Sequence, residues 1–147
     1  MDRIVDTQEY LDMVCDLLAQ GHTGVPVPVK GVSMRPFLRD GDRVLLDRVT
    51  DPIKKGDILL FCRPGGQYIL HRVVRVNDDG TFLMLGDSQL ITEPIPRKAV
   101  RARAVCVLIG DKKVAPGSLR WWFYAHPWRL LAPWRRQIGT IRERFRR

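Results

Sequence analysis

The feature that most constrains the fold is a set of five short segments between residues 43 and 110 in which apolar residues recur with a period of two. The segments read RVLLDRV, DILLFCR, YILHRVVRV, TFLMLGD and ARAVCVLIG. Turn-forming residues separate them, and the pairs Gly65-Gly66 and Asp79-Gly80 are typical of tight hairpins. Short strands joined by short turns pair antiparallel, so the sequence predicts a mainly-β fold, an antiparallel coiled sheet or barrel, rather than a βαβ arrangement.

A helix is predicted before the strands, over residues 7–20, because apolar residues recur there at three- and four-residue spacing. We expect Thr7 to cap the helix and Gly21 to end it. The following VPVPVK segment has two prolines that cannot donate to a ladder, which predicts an edge strand or an extended entry segment. We therefore divide the chain into an N-terminal helix (1–24), a β domain (25–117) and a C-terminal tail (118–147).

The positive charge of the chain lies in that tail. The whole chain carries a net charge of +9, but residues 1–117 hold 17 Lys and Arg against 15 Asp and Glu, whereas residues 118–147 hold eight Arg and one Glu. The tail also contains all four tryptophans, Trp121, Trp122, Trp128 and Trp134. Pro127 and Pro133 are expected to divide it into short amphipathic helices, the last over residues 134–146.

Three partners are compatible with a tail rich in arginine and tryptophan. The headgroup layer of an anionic membrane is one, since aromatic and basic residues without a long apolar run suit an interfacial segment. Packing on the β domain or on a partner protein is the second. Nucleic acid is the weakest, because no recognisable binding module accompanies the tail.

Targeting signals are not apparent in the sequence. The N-terminal stretch MDRIVDTQEYLDMVCDLL has acidic residues throughout, and no run of 18 apolar residues occurs. We therefore expect a cytoplasmic protein, with peripheral attachment at the inner membrane face as the alternative.

The cysteines predict free thiols. Cys15, Cys62 and Cys106 are odd in number and widely spaced, and no CxxC pair or cysteine–histidine cluster has the spacing of a metal site. We expect neither a metal ion nor a cofactor.

Three residues carry the candidate chemistry. Ser33 lies in VKGVSMRPFLRDGDRVLL, His71 lies inside a strand, and Asp87 lies at the end of the next strand. A serine hydroxyl needs a base, and the base needs a partner that orients it. Taken singly, Ser33 is an ordinary turn serine, His71 a packed strand histidine and Asp87 a turn former, so only their joint occurrence points to catalysis.

Five boxes in order carry a family resemblance: a Ser-Met-x-Pro box, a Gly-Asp turn into a strand, a Lys-Gly-Asp-Ile turn into another strand, a base-bearing strand and a Gly-Asp box. They lie in the segments GVSMRPFLRDGDRVLL, IKKGDILLF, LHRVVRV and LGDS, which resemble the S24/S26 serine peptidases, the signal peptidase I group, over about residues 26–110. Bacterial signal peptidases and self-cleaving repressors use a lysine as the base on the base-bearing strand. The His71-Arg72-Val73 run instead resembles the histidine-base type of archaea and the endoplasmic reticulum.

The resemblance implies roles for the residues that match. Ser33 would be the nucleophile and His71 the general base, with Asp87 orienting His71 and the Ser33 N–H stabilising the oxyanion. Glu93 is the nearest match to a further acid of the family. Gly31 departs from lysine-type members that have a hydroxyl residue at this position.

The resemblance also implies a substrate. The family binds an extended peptide along a strand edge, for which VPVPV is the candidate, and cuts leader or signal-type peptides after a small residue. Val32 and Met34, beside Ser33, are the expected substrate contacts. The family usually carries a transmembrane anchor, which this sequence does not contain.

Two alternatives remain open from the sequence. One is a self-cleaving regulator of the repressor type, although the chain has no Ala-Gly or Cys-Gly dipeptide and no lysine base. The other is a non-catalytic peptide-binding or membrane-surface module that retains the peptidase fold.

Overall fold

A computed structural model describes residues 2–131. The predicted tail helix over residues 134–146 lies outside them. The helices are α1 (Asp2–Ala19), α2 (Leu119–Ala125) and α3 (Pro127–Leu130). The strands are β1 (Val25–Pro28), β2 (Arg43–Asp47), β3 (Ile58–Cys62), β4 (Tyr68–Val76), β5 (Phe82–Leu85), β6 (Glu93–Ile95), β7 (Val100–Ile109) and β8 (Lys112–Val114), with a short 3-10 helix over Arg97–Ala99.

All eight strands belong to one antiparallel sheet. Its order is β1-β2-β7-β3-β4-β5-β6, and β8 pairs with β7 outside this path. The predicted antiparallel mainly-β fold is confirmed, and the sheet is open rather than closed into a barrel. The long strand β7 joins the two halves, because its first part pairs with β3 and its second part with β2. The VPVP segment forms β1 and lies at the edge of the sheet, as predicted.

Two short strands were not predicted. β6 contains Pro94, and β8 begins with two lysines, so neither has the alternating apolar pattern of a strand. Each pairs with a single neighbour, β6 with β5 and β8 with β7. Proline and lysine are tolerated at such positions because one side of the strand needs no ladder donor.

Helix α1 begins earlier than predicted. It starts at Asp2, so Thr7 lies inside the helix rather than at its cap. Its C-terminal end matches the prediction, because Gly21 adopts a φ of 98° and its N–H donates to the Leu18 carbonyl at 3.1 Å. The His22 N–H donates to the Leu17 carbonyl at 3.1 Å, which satisfies a second free carbonyl of the last turn.

The helices pack on the strands through one of two hydrophobic clusters. Leu11, Val14 and Leu18 of α1 and Trp121 and Ala125 of α2 are buried in the same cluster as residues of β1, β2, β3 and β7. A second cluster fills the other face, between β3, β4, β5 and β7. The division of the chain into three parts stays a prediction, but both helices share a core with the sheet.

Two aspartates after glycines stabilise turns. The Asp42 carboxylate accepts from the Arg39 N–H and the Asp57 carboxylate from the Lys54 N–H, both at 2.9 Å. These two Gly-Asp turns therefore have the same hydrogen-bond pattern, and each leads into a strand.

The three cysteines are free, as predicted. Within residues 2–131, the helices lack the length and apolar character that a membrane span requires.

Candidate active site

Ser33 and His71 line the same groove. This cavity of about 800 Å³ lies between the chain that leads into Ser33 and the first half of β4. Apolar side chains of β1, β2 and β3 form its floor, and Met34 lies beside Ser33. The two residues that the resemblance implies as nucleophile and base therefore both border this groove, although 38 positions separate them in the sequence.

The Ser33 turn is held by the loop that follows β5. The Ser33 carbonyl accepts from the Ser88 N–H at 3.0 Å and from the Ser88 hydroxyl at 3.0 Å. Gly86 allows this approach, because a Cβ at that position would lie 2.5 Å from the Ser33 carbonyl oxygen. The Gly-Asp-Ser box thus fixes the backbone of the turn that carries the nucleophile.

Gly31 shapes the entry to the same turn. It adopts a φ of 88°, which favours glycine, and its N–H donates to the Asp40 carboxylate at 2.8 Å. Because that N–H is already bonded, Gly31 offers neither a hydroxyl nor a free amide to an oxyanion.

His71 is buried against the second cluster. His71 is 4% exposed, and its ring packs edge-on against that of Phe61, with 6.0 Å between the ring centroids. The pKa of His71 is lowered to about 4, chiefly by burial; the Glu93 carboxylate acts to raise it and the Arg63 guanidinium to lower it. The imidazole is therefore neutral at pH 7. Its Nδ1 is buried and has no hydrogen-bond partner within the described chain.

Glu93 lies in the electrostatic surroundings of His71, bound to Arg63. Arg63 donates from Nε to Oε2 at 2.9 Å and from Nη2 to Oε1 at 2.5 Å. This pairing lowers the pKa of Glu93, so the carboxylate stays charged near neutrality. Glu93 is thus the acid whose charge acts on His71, and its role as a second acid stays a prediction.

The carboxylate of Asp87 pairs with Arg72. Both of its carboxylate oxygens accept from Arg72, at 2.9 Å each, and the His71 Nδ1 that it was expected to orient has no partner among residues 2–131. Strand alternation explains the difference, because His71 and Arg72 are consecutive residues of β4 and point to opposite faces. Asp87 binds the side chain on the face opposite His71.

Arg72 is the residue that the sequence reasoning missed. Its side chain is 1% exposed, and besides Asp87 it donates to the Gly56 carbonyl at 3.0 Å. Its guanidinium carbon lies 4.9 Å from the Phe37 ring centroid and 5.6 Å from that of Trp121. The sequence did contain a signal for this role. Arg72 directly follows His71 on a predicted strand, so its side chain must lie on the face opposite that of His71.

The expected substrate contacts differ in their surroundings. Met34 is 3% exposed, belongs to the main cluster and lines the groove. Val32 is 59% exposed, and its carbonyl accepts from the Ser88 hydroxyl at 2.8 Å.

One strand edge faces the groove. β4 pairs with β3 from Tyr68 onward, but with β5 only from Arg72 onward, so its first four residues have no strand partner on the second side within the described chain. The hairpin bond from the Arg63 N–H to the Gln67 carbonyl fixes the alternation of the ladder. By that alternation Tyr68 and Leu70 direct their N–H and C=O groups away from β3, toward the groove.

A family profile described as Peptidase S24-like matches residues 2–107, which is most of the chain and includes Ser33, His71 and Asp87. The chain belongs to the Peptidase S24-like family. Comparison with curated proteins and with solved structures returned no match. The family supports a peptidase fold that serves either a serine peptidase or a repressor-type regulator.

Helices α2 and α3 lie beyond the matched part of this S24-like chain, yet they contact the site. The Trp121 indole N–H donates at 2.9 Å to the Gly56 carbonyl, the same oxygen that accepts from Arg72. The Trp128 indole N–H donates to the Asp87 backbone carbonyl at 2.6 Å. Part of the tail therefore packs on the β domain, which was one of the three possibilities left open by the sequence.

Among residues 2–131 no group of three or more histidines, cysteines or acids is close enough to hold an ion.

Proposed function

We propose that this chain is a serine endopeptidase of the signal-peptidase-like, histidine-base type, which cuts a leader or signal-type peptide after a small residue. The observation that carries the proposal is the position of Ser33 and His71 in one apolar groove beside a free strand edge. Family membership supports the peptidase fold, and the His71-Arg72-Val73 run supports the histidine type.

The chemistry follows that of an activated serine. The Ser33 Oγ attacks the scissile carbonyl while its proton passes to the neutral His71, and the Ser33 N–H donates to the oxyanion. Protonated His71 then gives the proton to the leaving amine. Water hydrolyses the acyl-enzyme by the same steps, with His71 again accepting and returning a proton.

The electrostatics of His71 suit a base that must be unprotonated before substrate binds. Burial keeps the imidazole neutral in the free protein. The Glu93 carboxylate acts in favour of the protonated form that arises during the reaction, and it substitutes in this respect for Asp87, which is bound to Arg72. Asp87 is then a positioning residue, because it belongs to the loop that holds the Ser33 carbonyl.

The free edge of β4 is the better candidate for peptide binding. Tyr68 and Leu70 offer both donors and acceptors to an extended peptide, whereas the outer edge of β1 has prolines at positions 26 and 28. A peptide paired with β4 would lie along the groove and pass its backbone between His71 and Ser33.

The test is cleavage of a library of 12-residue peptides rich in alanine, glycine and serine, read by mass spectrometry. Wild-type protein should release fragments, and Ser33→Ala and His71→Ala should lower the rate by about 1,000-fold or more. A serine-directed acylating probe should label the wild type and not Ser33→Ala. Equal fragment release by all three proteins, or release by none, would sink the proposal.

The non-catalytic alternative has one observation in its favour: the His71 Nδ1 has no partner among residues 2–131, and a base without an orienting partner loses its preferred tautomer. The labelling experiment separates the two, because a binding module would leave Ser33 unlabelled. Intact mass after long incubation tests the repressor-type alternative, which requires self-cleavage.

We also propose that the exposed face of α2 and α3 contacts an anionic membrane surface. The face carries five exposed apolar side chains and Arg120: Leu119, Trp122, Phe123, Leu130 and Leu131. Apolar residues at i, i+3 and i+4 of α2, next to a tail with eight arginines and one glutamate, suit an interfacial helix. The protein should co-sediment with phosphatidylserine vesicles and not with phosphatidylcholine vesicles. Trp122→Ala should weaken that binding, and equal binding by wild type and variant would contradict it.

A further inference from the structure

Helix α1 contacts both walls of the groove. On one side the Tyr10 hydroxyl donates to the Pro26 carbonyl of β1 at 3.3 Å. On the other side the Tyr68 hydroxyl of β4 donates to the Asp12 carboxylate. Tyr10 and Leu11 themselves line the groove. The helix therefore lies across one end of the space that begins at Ser33 and His71.

The contact with β4 extends into the hairpin beyond it. The Gln8 side chain lies against Gly66, in the turn between β3 and β4, where no side chain competes for the space. Burial and the bond to Asp12 raise the pKa of Tyr68, so this hydroxyl remains a donor at neutral pH. The Tyr68 side chain at the far end of the β4 edge is thus bonded to α1.

The helix is anchored in this position by its opposite face. Leu11, Val14 and Leu18 are 8%, 1% and 2% exposed and belong to the main hydrophobic cluster. Displacing α1 would expose all three apolar side chains to water, which is unfavourable. The closed end is therefore part of the folded core.

The length of the groove follows from the strand. Tyr68 lies three residues before His71 on β4, which at the rise of an antiparallel strand is about 10 Å. An extended peptide paired with Leu70 and Tyr68 has room for about three residues between the catalytic pair and α1.

We infer that α1 limits one arm of the substrate to about three residues, with Tyr10 as the residue that forms the end wall. This inference rests on the proposed function and narrows its substrate: the chain removes a short stretch from the end of a peptide and does not cut in the middle of a long extended leader. Specificity for position then comes from the helix, and specificity for the residue at the bond comes from the groove beside Ser33.

The test maps the cut sites in the same 12-residue peptides. In wild type the cuts should lie within about four residues of one terminus, and Tyr10→Ala should raise the share of internal cuts several-fold. Met13→Ala is the matched control, because Met13 lies on the same helix, is 51% exposed and does not line the groove. Its cut distribution should equal that of the wild type.

Cuts spread evenly along the peptide by the wild type, or an unchanged distribution in Tyr10→Ala, would overturn the inference while leaving the proposed function intact. If no peptide is cut, the proposed function fails, and binding decides the inference. Alanine-based fluorescent peptides of 3, 6 and 12 residues, the 3 following from the rise per residue, would then be titrated onto Ser33→Ala. In Ser33→Ala the affinity should stop rising as the peptide becomes longer, whereas in the double variant Tyr10→Ala/Ser33→Ala it should continue to rise. An absence of binding at every peptide length would overturn the inference.

Discussion

Arg72 and Asp87 form a two-pronged ion pair inside the protein, with Nε–Oδ1 and Nη2–Oδ2 distances of 2.9 Å and side chains that are 1% and 3% exposed. The pair links strand β4 to the loop that holds Ser33. Its remaining guanidinium nitrogen binds the Gly56 carbonyl, which also accepts from Trp121. One buried cation thus connects the strand that contains His71, the loop that supports Ser33 and α2.

Breaking that pair from one side should be costly. Arg72→Met and Asp87→Asn should each lower the free energy of unfolding by about 3–5 kcal/mol, because a buried charge loses its partner. The double variant Arg72→Met/Asp87→Leu should lose less than either single change, since it leaves no buried charge. Urea denaturation measures all three. The control is Arg35→Met, whose exposed partner Asp40 lies 3.5 Å away and which should cost less than about 1 kcal/mol.

His71 should make the protein less stable in mild acid. The pKa of His71 falls from an ordinary value of 6.5 to about 4 on folding. Between these values the unfolded chain binds a proton that the folded chain does not, so stability is full above pH 6.5 and falls as the pH drops toward 4, by about 2–3 kcal/mol. His71→Asn should lose this dependence, whereas the exposed His22→Asn should keep it. Urea midpoints at pH 4.5 and 7.5 measure both.

The same burial sets the acid limb of activity. Because the base is unprotonated down to about pH 4 in the free protein, kcat/KM for a cleaved peptide should stay level from pH 7 to about pH 5 and fall near pH 4. A limb near pH 6.5 would contradict a buried base. Circular dichroism at each pH confirms that the chain is folded at the points compared.

Gly86 should not tolerate a methyl group. A Cβ there would meet the Ser33 carbonyl oxygen at 2.5 Å, which is backbone and cannot swing aside. Gly86→Ala should therefore lower stability by about 1–3 kcal/mol and displace the nucleophile, with a loss of at least tenfold in kcat/KM. Gly117→Ala is the control, since no atom lies within 4 Å of its Cβ position. If Gly86→Ala and Gly117→Ala lost similar amounts of stability and activity, the contact with the Ser33 carbonyl would not be the cause.

Ser88 should matter for rate more than for stability. Its hydroxyl reaches the Val32 and Ser33 carbonyls at 2.8 and 3.0 Å from an exposed position. Ser88→Ala should cost about 1 kcal/mol or less in stability and about 10- to 100-fold in kcat/KM. The control is Ser118→Ala, which removes the serine that caps α2. This variant should lower the free energy of unfolding by about 1 kcal/mol and leave kcat/KM unchanged. The measurement is the loss of kcat/KM in Ser88→Ala divided by the loss in Ser118→Ala.

Much of the fold could be predicted from the period of the apolar residues. The five predicted strands, the edge position of β1 and the hairpins at Gly65-Gly66 and Asp79-Gly80 all occur in the structure. The start of α1 was placed too late, because Thr7 was read as an N-cap whereas the helix begins at Asp2. β6 and β8 were not predicted because a strand of three residues is too short to show an alternation of apolar and polar residues.

The order of the motifs predicted the members of the candidate site. Ser33 and His71 both border the groove, and their roles stay predictions. The role of Asp87 stays a prediction too; its carboxylate binds Arg72, which follows His71 in the sequence and lies on the opposite strand face. The twist and coiling of the whole sheet determine which face of β4 the loop after β5 reaches. A local sequence motif does not contain this information.

The prolines of β1 also bear on how molecules of this protein meet one another. Residues 25, 27 and 29 face β2, so the outer edge presents the Pro26 and Pro28 carbonyls and no backbone N–H over residues 25–29. A strand from a second molecule would find acceptors there without any reciprocal donor, and one of those acceptors is already taken by Tyr10. An open sheet is exposed to edge-to-edge stacking, and four residues at its border prevent that stacking from starting.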